Sequence, residues 1–194
     1  MKYAADNADL VKHYRESLKY RDIVERISRA TQVDDAIIWA LGSKETGWGT
    51  SPLMKPQGPT GTGDRAKRPH NVYAGPDGLP ADGKGGWGRG LFQIDYAWHE
   101  FARTGDWRDA EANISYAIRN VFTGKLAYLK KHSTNMDDDA LVRAAIAAYN
   151  CGEGVVRKAL ANGQDPDKFT THGNYAEDVI ARGRWFRDNG GWSR

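Results

Sequence analysis

The first residue in the sequence with a clear chemical use is Glu45, which follows the apolar run 36–41 and precedes Trp48. A glutamate beside apolar and aromatic side chains is poorly solvated, which disfavours its charged form and raises its pKa. Such a carboxylic acid still donates a proton near neutral pH, as the cleavage of a glycosidic bond requires. Position alone leaves an alternative, an ordinary glutamate at the end of a helix.

Patterns for other kinds of chemistry are missing. The five histidines form no H-E-x-x-H or comparable zinc pattern, and the sequence has no nucleophile elbow, phosphate loop or dinucleotide fingerprint. Cys151 could be a nucleophile, but a thiol at the end of an alanine-rich helix is better explained as a small buried hydrophobe. We therefore expect carboxylate chemistry with no metal and no cofactor.

Composition narrows the class of protein. The 194 residues suffice for one globular domain, and no apolar stretch approaches the roughly 20 residues of a membrane span. A net charge of +3 suits adsorption to an anionic polymer and is far below that of a nucleic-acid-binding surface. A single cysteine excludes an intramolecular disulfide. We expect a monomer that binds no nucleic acid and has no membrane span.

Helical periodicity dominates the sequence on both sides of Glu45. Asp34 and Asp35 suit the first turn of a helix that ends near Gly47, and its apolar residues predict a central buried helix with Glu45 at its C-terminal end. The fold class is therefore mostly α. Further helices are predicted from apolar residues at helical spacing over 10–18, 23–30, 109–129, 137–152, 155–160 and 174–187.

Residues 47–90 interrupt this pattern, because they hold 12 of the 22 glycines and 6 of the 7 prolines. A loop of this length inside a compact domain is generally functional. We expect residues 1–194 to form one catalytic domain, in which the insertion 50–90 is an active-site wall, with a short β-hairpin near 89–95. A linker between two domains is the alternative, but the two halves look too small and too interdependent.

Four segments extend the pattern around Glu45: SKETGWG at 43–49, GRGLFQID at 88–95, AAYNCGEG at 147–154 and GNYAEDVI at 173–180. In order and rough spacing they resemble the four motifs of the goose-type lysozymes and lysozyme-like lytic transglycosylases of glycoside hydrolase family 23. Each segment alone is weak evidence of this family, whereas the four segments in this order are specific for it. The resemblance covers residues 23–186 and implies a helical, lysozyme-like fold with a small hairpin beside the cleft.

The resemblance implies roles for single residues. Glu45 matches the catalytic acid, and Gln93 matches a glutamine that lines the sugar cleft. Tyr149 and Asn150 match a pair that contacts the sugar near the scissile bond. Tyr175 matches a tyrosine that packs beside the acid and can hydrogen-bond to it. Without the resemblance, Gln93 would be a strand residue, Asn150 a helix C-cap and the two tyrosines core aromatics.

Asp95 bears on what attacks the sugar. Goose-type enzymes have an aspartate at this position, whereas typical transglycosylases have a methionine-proline ending, so the resemblance implies inverting hydrolysis in which Asp95 positions or activates water. The alternative is a lytic transglycosylase, in which the C6 hydroxyl attacks and 1,6-anhydromuramic products form. Goose-type sequences usually have another aspartate after a Trp-Gly pair, but here Trp87 and Gly88 are followed by Arg89.

The implied substrate is the glycan strand of peptidoglycan, cut between N-acetylmuramic acid and N-acetylglucosamine, with chitin as the alternative. Trp48, Trp87 and Trp98 are expected to be exposed and to stack on sugar faces, although Trp98 also fits the inner face of a short helix. The N-terminus has no apolar h-region, which favours a phage endolysin made in the cytoplasm and acting on the cell wall.

Three alternatives stay open. A secreted bacterial enzyme without its leader would have the same sequence features as an endolysin. A catalytically inactive, sugar-binding protein of this fold would keep the aromatic residues but would not need Glu45. A zinc amidase would need a ligand triad that the histidines do not supply.

Overall fold

The fold comes from a computed structural model that describes residues 1–51, 54–55, 58–59, 88–96, 98–133 and 136–192. Most of the expected wall 50–90 lies outside the described residues. The predicted mostly α fold with a small hairpin is confirmed. The elements are α1 (Ala8–Ser17), α2 (Arg21–Thr31), α3 (Asp35–Thr46), β1 (Met54–Lys55), β2 (Gly58–Pro59), β3 (Gly88–Arg89), β4 (Ile94–Asp95), α4 (Glu100–Thr104), α5 (Ala110–Tyr116), α6 (Thr123–His132), α7 (Asp138–Cys151), α8 (Glu153–Ala161) and α9 (Tyr175–Trp185).

Helix α3 lies at the centre of the core. Asp34 caps it, since its carboxylate accepts the N–H of Ala36 at 2.8 Å. Nearly all of residues 36–43 are buried. The helix ends where Gly47 adopts a left-handed conformation with φ 58°. The predicted central buried helix is therefore confirmed, with Glu45 in its last turn.

Helix α9 packs closely against α3. A Cβ atom on Gly183 would lie 3.3 Å from the carbonyl oxygen of Ala36, so the missing side chain allows the two backbones to approach. Trp39 of α3 stacks on Trp185, with ring centroids 5.7 Å apart. Because Gly183 lies beside the start of α3, the two helices run antiparallel, and Tyr175 at the start of α9 reaches the C-terminal end of α3.

The helix predicted over 109–129 is interrupted. Helix α5 begins where the sequence predicts, and the carboxylate of Asp109 caps it by accepting the N–H of Ala112 at 2.7 Å. A π-helical turn, Ala117–Phe122, then separates α5 from α6. The apolar spacing does not reveal this turn, because both sides of it face the same core.

A polar network lies behind the last turn of α3. The carboxylate of Asp178 accepts hydrogen bonds from Lys44 and, at 3.1 Å, from Arg182. Arg182 also donates to the hydroxyl of Ser43 at 3.0 Å, and Nδ1 of His13 lies 2.9 Å from the same oxygen. Burial opposes the ionisation of Asp178, but the hydrogen bond from Lys44 and the charge of Arg182 keep its pKa below the usual value. The network joins α1, α3 and α9.

His13 makes the stability of this network depend on pH. Burial, followed by the charge of Arg182, lowers the pKa of His13 to about 4. Between pH 6.5 and 4 the unfolded chain therefore binds more protons than the folded one, so the free energy of unfolding should fall as the pH falls. With the partial exposure of the ring taken into account, we expect a loss of about 1–2 kcal/mol that His13→Gln removes.

Urea unfolding of the parent and of His13→Gln at several pH values measures this difference. His132→Gln, at the exposed end of α6, is the matched control and should behave like the parent. Parallel loss of stability in the parent and in His13→Gln would contradict the assignment.

Candidate active site

Glu45 and Tyr175 meet where α3 ends and α9 begins. Oε1 of the half-buried Glu45 accepts a hydrogen bond from the Tyr175 hydroxyl. Tyr175 is almost fully buried, and burial, followed by the negative charge of Glu45, raises its pKa well above the usual value. The hydroxyl therefore stays protonated and acts as the donor. Because Oε1 is the acceptor, a proton carried by Glu45 would be on Oε2.

The hairpin β3–β4 presents one face that carries two of the predicted residues. Gly88 lies opposite Asp95, and Arg89 lies opposite Ile94. Arg89 and Ile94 are buried, whereas Asp95 is half-buried on the other face. The side chain of Gln93 folds over Gly88, where a Cβ atom would lie 2.2 Å from Gln93 Oε1. Gln93 and Asp95 therefore flank the same glycine.

Two of the helices hold the turn of this hairpin. The hydroxyl of Thr46 donates to the carbonyl oxygen of Leu91 at 2.9 Å, and the hydroxyl of Tyr149 donates to that of Phe92 at 2.7 Å. Burial, followed by the charge of Glu45, raises the pKa of Tyr149 well above its usual value. Because Thr46 directly follows Glu45, its bond to Leu91 places the acid and the hairpin in one region of the protein.

Asn113 of α5 also holds the hairpin, and the sequence analysis did not identify it. Its Oδ1 accepts the N–H of Phe92 at 2.9 Å, and its Nδ2 donates to the carbonyl of Arg89 at 3.1 Å. A Cβ atom on Gly90 would lie 1.9 Å from this amide, so the turn needs a glycine there. The available signal was a polar residue beside Ile114 on the inward face of an amphipathic helix.

Asn150 has one half of its amide engaged. Its Oδ1 accepts the backbone N–H of Thr171 at 2.8 Å and the Thr171 hydroxyl at 3.2 Å. No acceptor for its Nδ2 lies among residues 1–51, 88–96, 98–133 and 136–192 that surround the site. The side chain thus reaches the segment before α9 and does not cap α7, and its amide N–H₂ group is the part open to a ligand.

The expectation that Trp48 is exposed and stacks on sugar is wrong, because its ring is fully buried. The left-handed Gly47 reverses the chain, and the N–H of Trp48 then donates to the carbonyl of Gly42 at 3.1 Å. The ring packs on Gly42, where a Cβ atom would lie 2.7 Å away, and its indole nitrogen donates to the carbonyl of Trp39 at 3.0 Å. Trp48 closes the end of α3.

Trp98, Arg89 and Cys151 differ in how exposed their side chains are. Trp98 is 74% exposed, which confirms its expected exposure, and it precedes α4; Trp87 lies outside the described residues. Arg89 is buried with its guanidinium 4.7 Å from the ring centroid of Tyr96, so the departure at this position places a cation in the core. Burial raises the pKa of Cys151 to about 11, which keeps the thiol protonated and argues against a nucleophile.

Neither a metal-binding cluster nor a membrane-spanning helix is found in the described part of the chain. No group of three or more His, Cys, Asp or Glu side chains there is arranged to hold a metal ion. Within the same residues, no helix has the length and apolar character needed to cross a membrane.

Comparison with known proteins identifies the family. The family model named Lysozyme g matches residues 73–190, which include the hairpin, Tyr149, Asn150 and Tyr175. The chain belongs to the lysozyme g family. Glu45 precedes this match but falls inside longer alignments with individual lysozymes g.

Three relatives show the extent of the likeness. The chain is 27% identical to Lysozyme g of Gallus gallus over 172 residues, which are 89% of this chain and 65% of that protein. It is 27% identical to Lysozyme g of Cyprinus carpio, covering 75% of it, and 24% identical to Lysozyme G of Dromaius novaehollandiae, covering 68% of it. An alignment of this length takes in Glu45 wherever it begins. The chain thus spans just under two thirds of the Gallus gallus protein.

Gly88 allows a test of the hairpin face. Gly88→Ala should displace the Gln93 side chain, and if Gln93 lines the cleft we expect kcat/KM on peptidoglycan to fall about tenfold. Gly124→Ala is the matched control, because nothing lies within 4 Å of the added methyl in α6. The double variant Gly88→Ala with Gln93→Ala should be no worse than Gln93→Ala alone. Additive losses would show that Gly88 acts by another route.

Proposed function

We propose that this protein is a lysozyme that cleaves the β-1,4 bond between N-acetylmuramic acid and N-acetylglucosamine in peptidoglycan. Glu45 acts as the general acid and water as the nucleophile. The observation that carries the proposal is the hydrogen bond from the buried Tyr175 to Oε1 of Glu45. It orients the carboxyl group so that Oε2 holds the proton to be transferred. Membership of the lysozyme g family supports the class of reaction.

The reaction then proceeds in one displacement. Oε2 of Glu45 gives its proton to the glycosidic oxygen as the bond from that oxygen to C1 breaks. Asp95 takes a proton from a water molecule, and the water oxygen forms the new bond to C1 on the opposite face of the sugar. The Tyr175 hydroxyl stabilises the Glu45 carboxylate that results. After the products leave, Asp95 gives up the proton it took from water and Glu45 takes up a proton, which returns the enzyme to its starting state.

Asp95 is the proposed base because of its place on the hairpin. It is half-buried on the face that also carries Gln93, and the turn of the same hairpin is bonded to the residue that follows Glu45. An inverting mechanism needs two carboxyl groups about 6.5–9.5 Å apart, with room for water between them. A helix end facing a hairpin suits this arrangement, since the two carboxylates come from different elements.

The ends of the segment that joins α3 to β3 support the proposed cleft. Gly47 directly follows α3 and Gly88 lies in β3, so both ends of the segment between them are at the site. The intervening segment therefore begins and ends at the site, as the proposed wall formed by residues 50–90 requires. The organisation of residues 1–194 as one catalytic domain and the action of the protein as a phage endolysin stay predictions.

Mass spectrometry of the muropeptides released from purified peptidoglycan tests the proposal. The parent should produce reducing N-acetylmuramic ends. Glu45→Gln should lower kcat by about 10²–10⁴, because it removes the acid. Asp95→Asn should also slow hydrolysis but leave binding of the glycan intact. The two variants keep the size of the side chain, so their melting temperatures should remain close to that of the parent.

Each alternative has its own outcome in this experiment. Chiefly 1,6-anhydromuramic ends would indicate a lytic transglycosylase, and cleavage of chitin in preference to peptidoglycan would indicate a chitinase. A Glu45→Gln variant that clears cell walls as fast as the parent would contradict the assignment of the acid.

Asn150 is proposed to bind the sugar as a hydrogen-bond donor. Thr171 occupies its Oδ1 by two hydrogen bonds, which fixes the amide and leaves Nδ2 for the ligand. The complementary group on the substrate is an acceptor, such as an acetamido carbonyl or a ring hydroxyl. Tyr149 contributes differently, because its hydroxyl donates its hydrogen to the carbonyl of Phe92, so that only an acceptor oxygen and the ring remain for contact with a sugar.

Asn150→Asp separates these two functions of the amide. The carboxylate keeps an acceptor for Thr171 but replaces the donor, so kcat/KM should fall about tenfold to a hundredfold while the melting temperature changes little. Asn150→Ala removes both, and should lower the melting temperature as well as kcat/KM. Steady-state kinetics and thermal unfolding distinguish the two variants. Full activity in Asn150→Asp would rule out the donor role.

A further inference from the structure

We infer that Thr46, together with Asn113, sets the position of the hairpin relative to Glu45 and so decides whether water or the sugar's own C6 hydroxyl completes the cleavage. The inference rests on the proposed function. It assigns a positioning role to Thr46 and Asn113, neither of which is proposed to touch the substrate.

The hairpin turn is buried, so its backbone oxygens need donors from within the protein. The carbonyl oxygens of the four consecutive residues 89–92 each accept a hydrogen bond from a donor within the protein. The carbonyl of Gly90 accepts the N–H of Gln93 at 3.2 Å and its Nε2 at 3.0 Å, which closes the turn on itself. The other three are bonded from outside the turn. Asn113 of α5 donates to Arg89, Thr46 of α3 to Leu91 and Tyr149 of α7 to Phe92.

Thr46 is the contact that ties the turn directly to the acid. It follows Glu45 in the last turn of α3, and it is 3% exposed. Its side chain is short and its hydroxyl also accepts the N–H of Gly49 at 3.2 Å, so the oxygen is held from two sides. A movement of the hairpin relative to Glu45 must therefore break or stretch the bond from Thr46 to Leu91.

Asn113 fixes the same turn from another helix, α5. Its amide bonds both the N–H of Phe92 and the carbonyl of Arg89, and it is completely buried. Because Gly90 passes against this amide, the turn cannot shift toward α5. Thr46 and Asn113 thus hold one short segment between two helices, and Gln93 and Asp95 follow directly after it.

The position of the hairpin matters because the two outcomes differ only in the nucleophile. In hydrolysis, a water oxygen forms the bond to C1 and its proton goes to Asp95. In the intramolecular route, O6 of the same sugar forms the bond to C1, and its proton goes to the Glu45 carboxylate once that has protonated the leaving oxygen. Only the first route needs Asp95 in place. A displaced hairpin should therefore slow hydrolysis and leave the second route available.

Thr46→Val and Thr46→Ser test this role. Valine keeps the shape but removes the donor to Leu91, whereas serine keeps the donor. We expect kcat for hydrolysis to fall about tenfold to a hundredfold in Thr46→Val, with a larger share of 1,6-anhydromuramic ends and little change in KM. Thr46→Ser should restore both the rate and the products of the parent. Asn113→Ala should shift the products in the same direction.

Thr31→Val is the matched control, because the Thr31 hydroxyl also donates to a backbone carbonyl, that of Ile27 at 2.8 Å, but in α2. It should leave the rate and the products unchanged. Hydrolysis by Thr46→Val at the parent's rate and with the parent's product ratio would overturn the inference while leaving the proposed function standing. A parent that forms only anhydro ends would overturn both. A loss of rate that Thr46→Ser does not restore would also contradict the role of the hydroxyl.

Discussion

The buried turn at 89–92 constrains the rest of the site, because each of its carbonyl groups must find a donor without water. Thr46, Tyr149 and Asn113 supply three of these donors from three different helices. Each of these helices thereby becomes fixed relative to the hairpin. The spacing between Glu45 and Asp95 is then a consequence of how the helices pack.

Packing of α3 against α9 provides the second half of this arrangement. Gly183 lets the helices approach near Ala36, and the antiparallel direction brings Tyr175 to the last turn of α3. Behind that turn, Asp178 engages Lys44, the immediate neighbour of Glu45. Lys44, which is next to Glu45 in the sequence, is therefore paired with a residue of α9. The acid accepts a hydrogen bond from a neutral hydroxyl group, and the residue that follows it is bonded to the hairpin.

Sequence patterns predicted what depends on local chemistry. The start of α3 near Asp34, its end at Gly47 and the hairpin near 89–95 all follow from residue preferences within a few positions. Asn113 and Thr46 escaped notice because their roles depend on a partner far along the chain. Trp48 was placed wrongly for a related reason, since the reversal at Gly47 and the space over Gly42 decide its burial. The residue type of Trp48 alone indicates an exposed ring that stacks on a sugar.

The groups that hold the hairpin also differ chemically from those that carry out the reaction. Threonine and asparagine side chains do not titrate, and the raised pKa of Tyr149 keeps its hydroxyl a donor throughout the neutral range. The hydrogen bonds that fix the turn are therefore insensitive to pH where the proposed carboxylates exchange protons. The geometry of the site should stay constant while Glu45 and Asp95 change charge.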